Sequence, residues 1–129
     1  MKNISTIYIV DNDPIYQLVV KKLLQKMLPS TNLFSFMDGS EAWEKLCNLT
    51  NEKVPCIILL DLDMPLMDGW EFMEMFDLWK HPEKNNIQIY IVSSSIAKED
   101  IEKSNTYSSI VDYITKPISL ASLEKILLK

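Results

Sequence analysis

Glycine is scarce in this 129-residue chain. There are two, Gly39 and Gly69, and neither follows the first apolar stretch. A glycine-rich loop that cradles a phosphate or dinucleotide after a first strand is therefore excluded. Arginine is absent: every basic residue is lysine, no basic block occurs, and the net charge is −5. That balance argues against nucleic-acid binding as the main activity. The two cysteines, Cys47 and Cys56, have no CxxC or metal-ligand spacing and are expected to be small buried or half-buried thiols. No apolar run approaches the roughly 20 residues of a membrane span. Met1 to Ser5 meets Asp11 too soon for a secretory signal, so a cytoplasmic location is expected. There is no internal repeat, low-complexity segment or linker.

What is present suits one domain over residues 1–129 with a real core: 47% of residues are hydrophobic and 24% charged. The stretch from Cys56 to Trp70 organises the rest. Four consecutive apolar residues after Cys56 run straight into Asp61, as in a strand buried on both faces. Pro65 stops that strand, and Asp68-Gly69 is a turn signal before a helical pattern over about 70–79. Earlier, Ser5 to Val10 is β-branched and aromatic, predicting strand one. Asp13-Pro14 reads as an N-cap with proline at the first helical position. Helix one then places Ile15, Leu18, Val19, Leu23 and Met27 at helical spacing. Residues 32–36 predict strand two. Asp38-Gly39-Ser40 opens helix two, with Ala42, Trp43, Leu46 and Leu49 on one stripe. Residues 87–92 predict strand four, 97–104 a short polar helix ended by a left-handed Asn105, and 109–114 strand five. Ser119 caps helix five. Five β-α repeats with helix-length crossovers imply an α/β fold, a parallel sheet with helices on both faces.

In such a sheet the strand ends lie on one edge. Asp11 and Asn12 follow strand one, Asp61 follows strand three, Ser93 follows strand four and Lys116 follows strand five. Clustered carboxylates repel unless a cation joins them, and hard oxygen ligands without His or Cys suit Mg²⁺ in a site shared with phosphate. Ser93 and Lys116 supply donors to phosphate oxygens. The chemistry supported is phosphorylation of a carboxylate. Asp13 is read first as a helix cap, and Asp63 as an exposed acid.

This order of residues resembles the receiver domain of two-component response regulators. The resemblance spans essentially the whole chain. It rests on Val10-Asp11-Asn12-Asp13-Pro14, on Leu60 to Gly69, on Val92-Ser93-Ser94 and on Tyr113-Ile114-Thr115-Lys116-Pro117. It implies a flavodoxin-like, doubly wound five-stranded parallel sheet in order 2-1-3-4-5, in a stand-alone, chemotaxis-regulator-like protein. Asp61 would be the phospho-acceptor, Ser93 the switch hydroxyl and Lys116 the partner of the phosphoryl group. Mg²⁺ would be held by Asp11, Asn12, Asp61 and the backbone carbonyl of Asp63. Tyr113 would be the switch aromatic, and Lys116-Pro117 a cis peptide. The implied partners are a histidine kinase or phosphotransfer protein and an unidentified downstream protein, with neither nucleic acid nor membrane. The only catalysis implied is the domain's own phosphorylation and dephosphorylation.

One position departs from the family pattern. The second member of its acidic pair is here Asn12, whose amide oxygen carries no charge, so metal affinity is expected to fall unless Asp13 or Asp63 compensates. Three alternatives stay open. A degenerate receiver would act by binding alone. A haloacid-dehalogenase-like phosphatase would use the DxD runs Asp11-Asn12-Asp13 or Asp61-Leu62-Asp63, although no Asp follows Lys116. A flavodoxin-like cofactor binder would lack its phosphate loop.

Overall fold

The computed structural model describes residues 4–49 and 53–128. Five parallel strands form one sheet in the order β2-β1-β3-β4-β5. They are β1 (Thr6–Val10), β2 (Asn32–Phe36), β3 (Ile57–Leu60), β4 (Gln88–Ser93) and β5 (Ile110–Thr115). The helices between and after them are α1 (Pro14–Met27), α2 (Gly39–Cys47), α3 (Gly69–Leu78), α4 (Lys98–Ser104) and α5 (Leu120–Leu127). A short 3-10 turn, Lys84–Asn86, precedes β4.

Successive side chains on a strand point to opposite faces, and the three central strands are apolar on both. Tyr8, Val10, Ile58, Leu60, Ile89 and Ile91 enter one core with Ala42 and Leu46 of α2 and Phe72, Met73 and Phe76 of α3. Ile7, Ile9, Ile57, Leu59, Tyr90 and Val92 enter the other with Val20 and Leu24 of α1 and Leu123, Ile126 and Leu127 of α5. Unalternating apolar runs are what two covered faces require.

The predicted caps form. Asp13 accepts from the backbone N–H groups of Ile15 and Tyr16 with Pro14 behind it, and Ser119 caps α5. Asp68 and Glu71 complete a reciprocal capping box at α3. Three expectations are corrected. The stripe predicted for helix one is rotated: Ile15, Leu18 and Val19 are exposed, whereas Gln17, Val20 and Leu24 are buried. The cause is polar. The Gln17 side-chain amide nitrogen lies 3.0–3.1 Å from the carbonyls of Ile9, Asp11 and Phe36, which ties α1 to the ends of β1 and β2. Asn105 has φ −73° and is right-handed, because its N–H still bonds back to the last turn of α4. Cys47 is exposed at the end of α2, while Cys56 is half-buried.

Candidate functional site

Four strand ends meet at the carboxyl edge of the sheet. The Asp11 N–H donates to Phe36 O and the Asp61 N–H to Val10 O, so each residue stays in register one step beyond its strand. Lys116 N–H donates to Ser93 O at 2.9 Å, which pins the end of β5 to that of β4. Asp11, Asp61 and Ser93 are all buried. The Lys116 ammonium lies 2.6 Å from Asp11 Oδ2 and 3.5 Å from Asp61 Oδ2, joining the two carboxylates. The Lys116-Pro117 peptide is cis, as the resemblance implied.

Both glycines of the chain serve the loop after β3. A Cβ on Gly69 would stand 2.5 Å from Asp61 O, and one on Gly39 would stand 2.7 Å from Met67 O. Gly69 N–H donates to Leu62 O and Gly39 N–H to Met67 O. Side chains there would push the loop off α2 and α3, so glycine is required by close backbone approach.

The electrostatics follow from this packing. Burial, and then the charge of Asp11, raise the Asp61 pKa above the usual carboxylate range. Lys116 and the N–H groups of Leu62 and Asp63 pull it part of the way back. Burial works against the charged form of Lys116. The hydrogen bond and charge of Asp11, with the charge of Asp61, outweigh that effect and raise the ammonium's pKa. Asp61 is thus a carboxylate under strain from its neighbour, and a nearby cation relieves it.

Asn12 and Asp63 are exposed at the rim of the site. Asp13 is committed to its cap, and its N–H donates to Asp11 Oδ1. Among the described residues no group of three or more His, Cys, Asp or Glu side chains converges. Two carboxylates, a neutral amide and backbone carbonyls are nevertheless the hard oxygen donors that suit Mg²⁺, which keeps several of its own waters. The donor set fits that ion and suits neither zinc nor copper.

A hydrogen-bonded chain leads away from Ser93. Its Oγ accepts the Ser95 N–H. Ser95 Oγ donates to Asp100 Oδ2 at 2.6 Å, and Asp100 Oδ1 accepts Trp70 Nε1–H at 3.0 Å. The Tyr113 hydroxyl donates to Ser95 O at 2.8 Å. Trp70 also stacks on Tyr107 and lies under the Lys103 ammonium, holding α4 on the α2/α3 face. The sequence reading found Ser93 and Tyr113 but missed Ser95, Asp100, Trp70 and Gln17. Ser95 lay inside a serine run with nothing to single it out. Gln17 had no signal beyond being polar at a buried helical position.

By fold and site, the chain is a doubly wound α/β domain with an acidic centre at the carboxyl edge of its sheet. Within that class it belongs to the response regulator receiver domain family, whose family model matches residues 7–128. It is 31% identical over 121 residues to the sensor histidine kinase CheAY of Helicobacter pylori, covering 92% of this chain and 14% of that protein. Against the sensor protein GacS of Pseudomonas syringae it is 31% identical, covering 93% of this chain and 13% of that protein. The chain therefore spans about one seventh of the length of these relatives. A two component response regulator from Cytophaga hutchinsonii superposes with TM-score 0.88 at 25% identity, covering 98% of this chain and 96% of that one. The Mn²⁺-bound form of the response regulator Rcp1 gives TM-score 0.78 at 25% identity, covering 95% and 88%.

Proposed function

We propose that Asp61 accepts a phosphoryl group from a histidine kinase or phosphotransfer protein. An Asp61 carboxylate oxygen attacks phosphorus, the bond from phosphorus to the donor breaks, and the donor's leaving group departs with that electron pair. The observation that carries this reading is the Lys116 ammonium spanning Asp11 and Asp61 beside the buried Ser93 hydroxyl. Lys116 can turn from the carboxylates to a phosphoryl oxygen without leaving the site. Asp11, Asn12, Asp61 and the carbonyl of Asp63 would hold Mg²⁺, which when bound supplies positive charge beside the transferring group. Ser93 then follows the phosphoryl group. Because Ser95 and Tyr113 are bonded to it in series, its movement biases a two-state protein-binding face around α4 and β5. The domain catalyses only its own phosphorylation and dephosphorylation, acts in the cytoplasm, and needs neither nucleic acid nor membrane.

Intact mass after treatment with acetyl phosphate and Mg²⁺ tests this. The expected result is one labile phosphoryl group per chain, absent from Asp61→Asn. A gain that persists in Asp61→Asn would remove Asp61 from the role. No gain at any Mg²⁺ concentration would leave the degenerate receiver. Repeated turnover of a phosphomonoester would make the protein a phosphatase.

A further inference from the structure

Lys116 has a long way to reach. It leaves the end of β5, an edge strand, and its ammonium contacts Asp11 at the end of β1, with β3 and β4 between them. A four-carbon stem free to rotate does not hold such a position by itself. Besides the carboxylates, the Tyr16 ring touches the ammonium, with its centroid 4.4 Å from Nζ. We propose that Tyr16 is a positioning residue for Lys116, its aromatic face holding the ammonium over Asp11 and Asp61 where an incoming phosphoryl oxygen meets it. The last part rests on Asp61 being the acceptor.

Tyr16 is itself well fixed. It lies in the first turn of α1, its N–H faces the Asp13 cap, and its neighbour Gln17 is anchored to the ends of β1 and β2. The ring packs against the α1/α5 core. Its hydroxyl is buried and has no hydrogen-bond partner among the described residues, and it is the ring face that meets Lys116. Burial, then the charges of Asp11 and Asp61, hold the phenol neutral far above its ordinary range. No anionic oxygen on Tyr16 therefore competes for the lysine. An aromatic face attracts a cation without using its N–H donors. Those donors stay free for the two carboxylates now and for a phosphoryl oxygen later. A carboxylate in the same place would hold the ammonium back.

The test compares initial rates of phosphorylation by acetyl phosphate with Mg²⁺, read by intact mass. Tyr16→Leu is expected to slow the reaction by about three- to tenfold, the worth of a partly desolvated cation–π contact. Tyr16→Phe, which keeps the ring, is expected to restore most of that loss. In a Lys116→Ala background, Tyr16→Leu should add little, because the contact is already gone. A purely structural role would slow that background as well. The Lys116 Hε protons of the parent should also lie upfield of their position in the denatured chain, through the ring current of Tyr16, and should move back in Tyr16→Leu. Equal rates in Tyr16→Leu and parent overturn the proposal. So does a loss in Tyr16→Phe as large as in Tyr16→Leu, or the full loss repeated in the Lys116→Ala background. If Tyr16→Leu does not fold, the parent spectrum decides, and unshifted Hε protons count against the contact. A parent chain that takes up no phosphate refutes the acceptor assignment instead, and leaves the spectrum to judge Tyr16.

Discussion

At the scale of single residues, Asn12 sets the charge of the site. The buried pair Asp11 and Asp61 is matched by one ammonium, and Asn12 at the rim adds no charge. Mg²⁺ binds carboxylates chiefly through charge. Asn12→Asp should therefore bind Mg²⁺ about tenfold tighter, roughly 1.4 kcal/mol, and be phosphorylated faster when the metal is limiting. Without metal the same variant should be slightly less stable, because a further negative charge joins Asp11 and Asp61. Calorimetric titration of Mg²⁺ into both proteins checks this, and equal affinities would show that another acid already supplies the charge.

At the scale of elements, α4 is the piece whose attachment is least apolar. It has seven residues, no side-chain cap, and only Ser104 buried. What holds its start is Asp100, which accepts from Ser95 and from Trp70 of α3. Those two bonds lower the Asp100 pKa. Their contribution is accordingly present above the unfolded-state pKa and is lost as pH falls through the folded one. Asp100→Ala should cost about 1–3 kcal/mol locally, since it also strands the Trp70 N–H. Amide hydrogen exchange should show faster exchange across residues 95–107 with the amides of β1 and β3 unchanged. Equal loss of protection throughout the sheet would mean that α4 opens only with the whole domain.

For the whole molecule, the buried carboxylates carry a cost in stability. Asp61 is buried with its pKa raised, first by burial and then by Asp11. Between the unfolded and folded pKa values the native state holds the extra proton. Stability therefore falls as pH rises through that window, and the penalty is fully present above the folded pKa. Above the folded pKa, Asp61→Asn should raise global stability by about 1 kcal/mol, and the gain should shrink as pH falls through it. Urea unfolding of both proteins across that range measures it. A constant gain at every pH would trace the effect to packing and not to charge.

The sequence by itself determined the five-fold β-α order, the strand sequence in the sheet, the caps at Asp13 and Ser119, and the residues that meet at the carboxyl edge. Apart from the strand sequence, which the resemblance implied, those features are local. Apolar runs, proline and turn residues act on their own neighbourhoods, and a parallel sheet then brings every strand end to the same edge. The rotation of α1 was decided only in three dimensions. There the Gln17 amide serves backbone carbonyls at the ends of β1 and β2 and turns Ile15, Leu18 and Val19 outward, against the hydrophobic pattern. The same holds for the link from Ser93 through Ser95 and Asp100 to Trp70, and for the Tyr16 ring against Lys116. In the first, Trp70 lies far along the chain from Asp100, and in the second, Tyr16 lies far from Lys116. Their meeting depends on how α1, α3 and α4 are packed on the sheet, and periodicity carries no record of that.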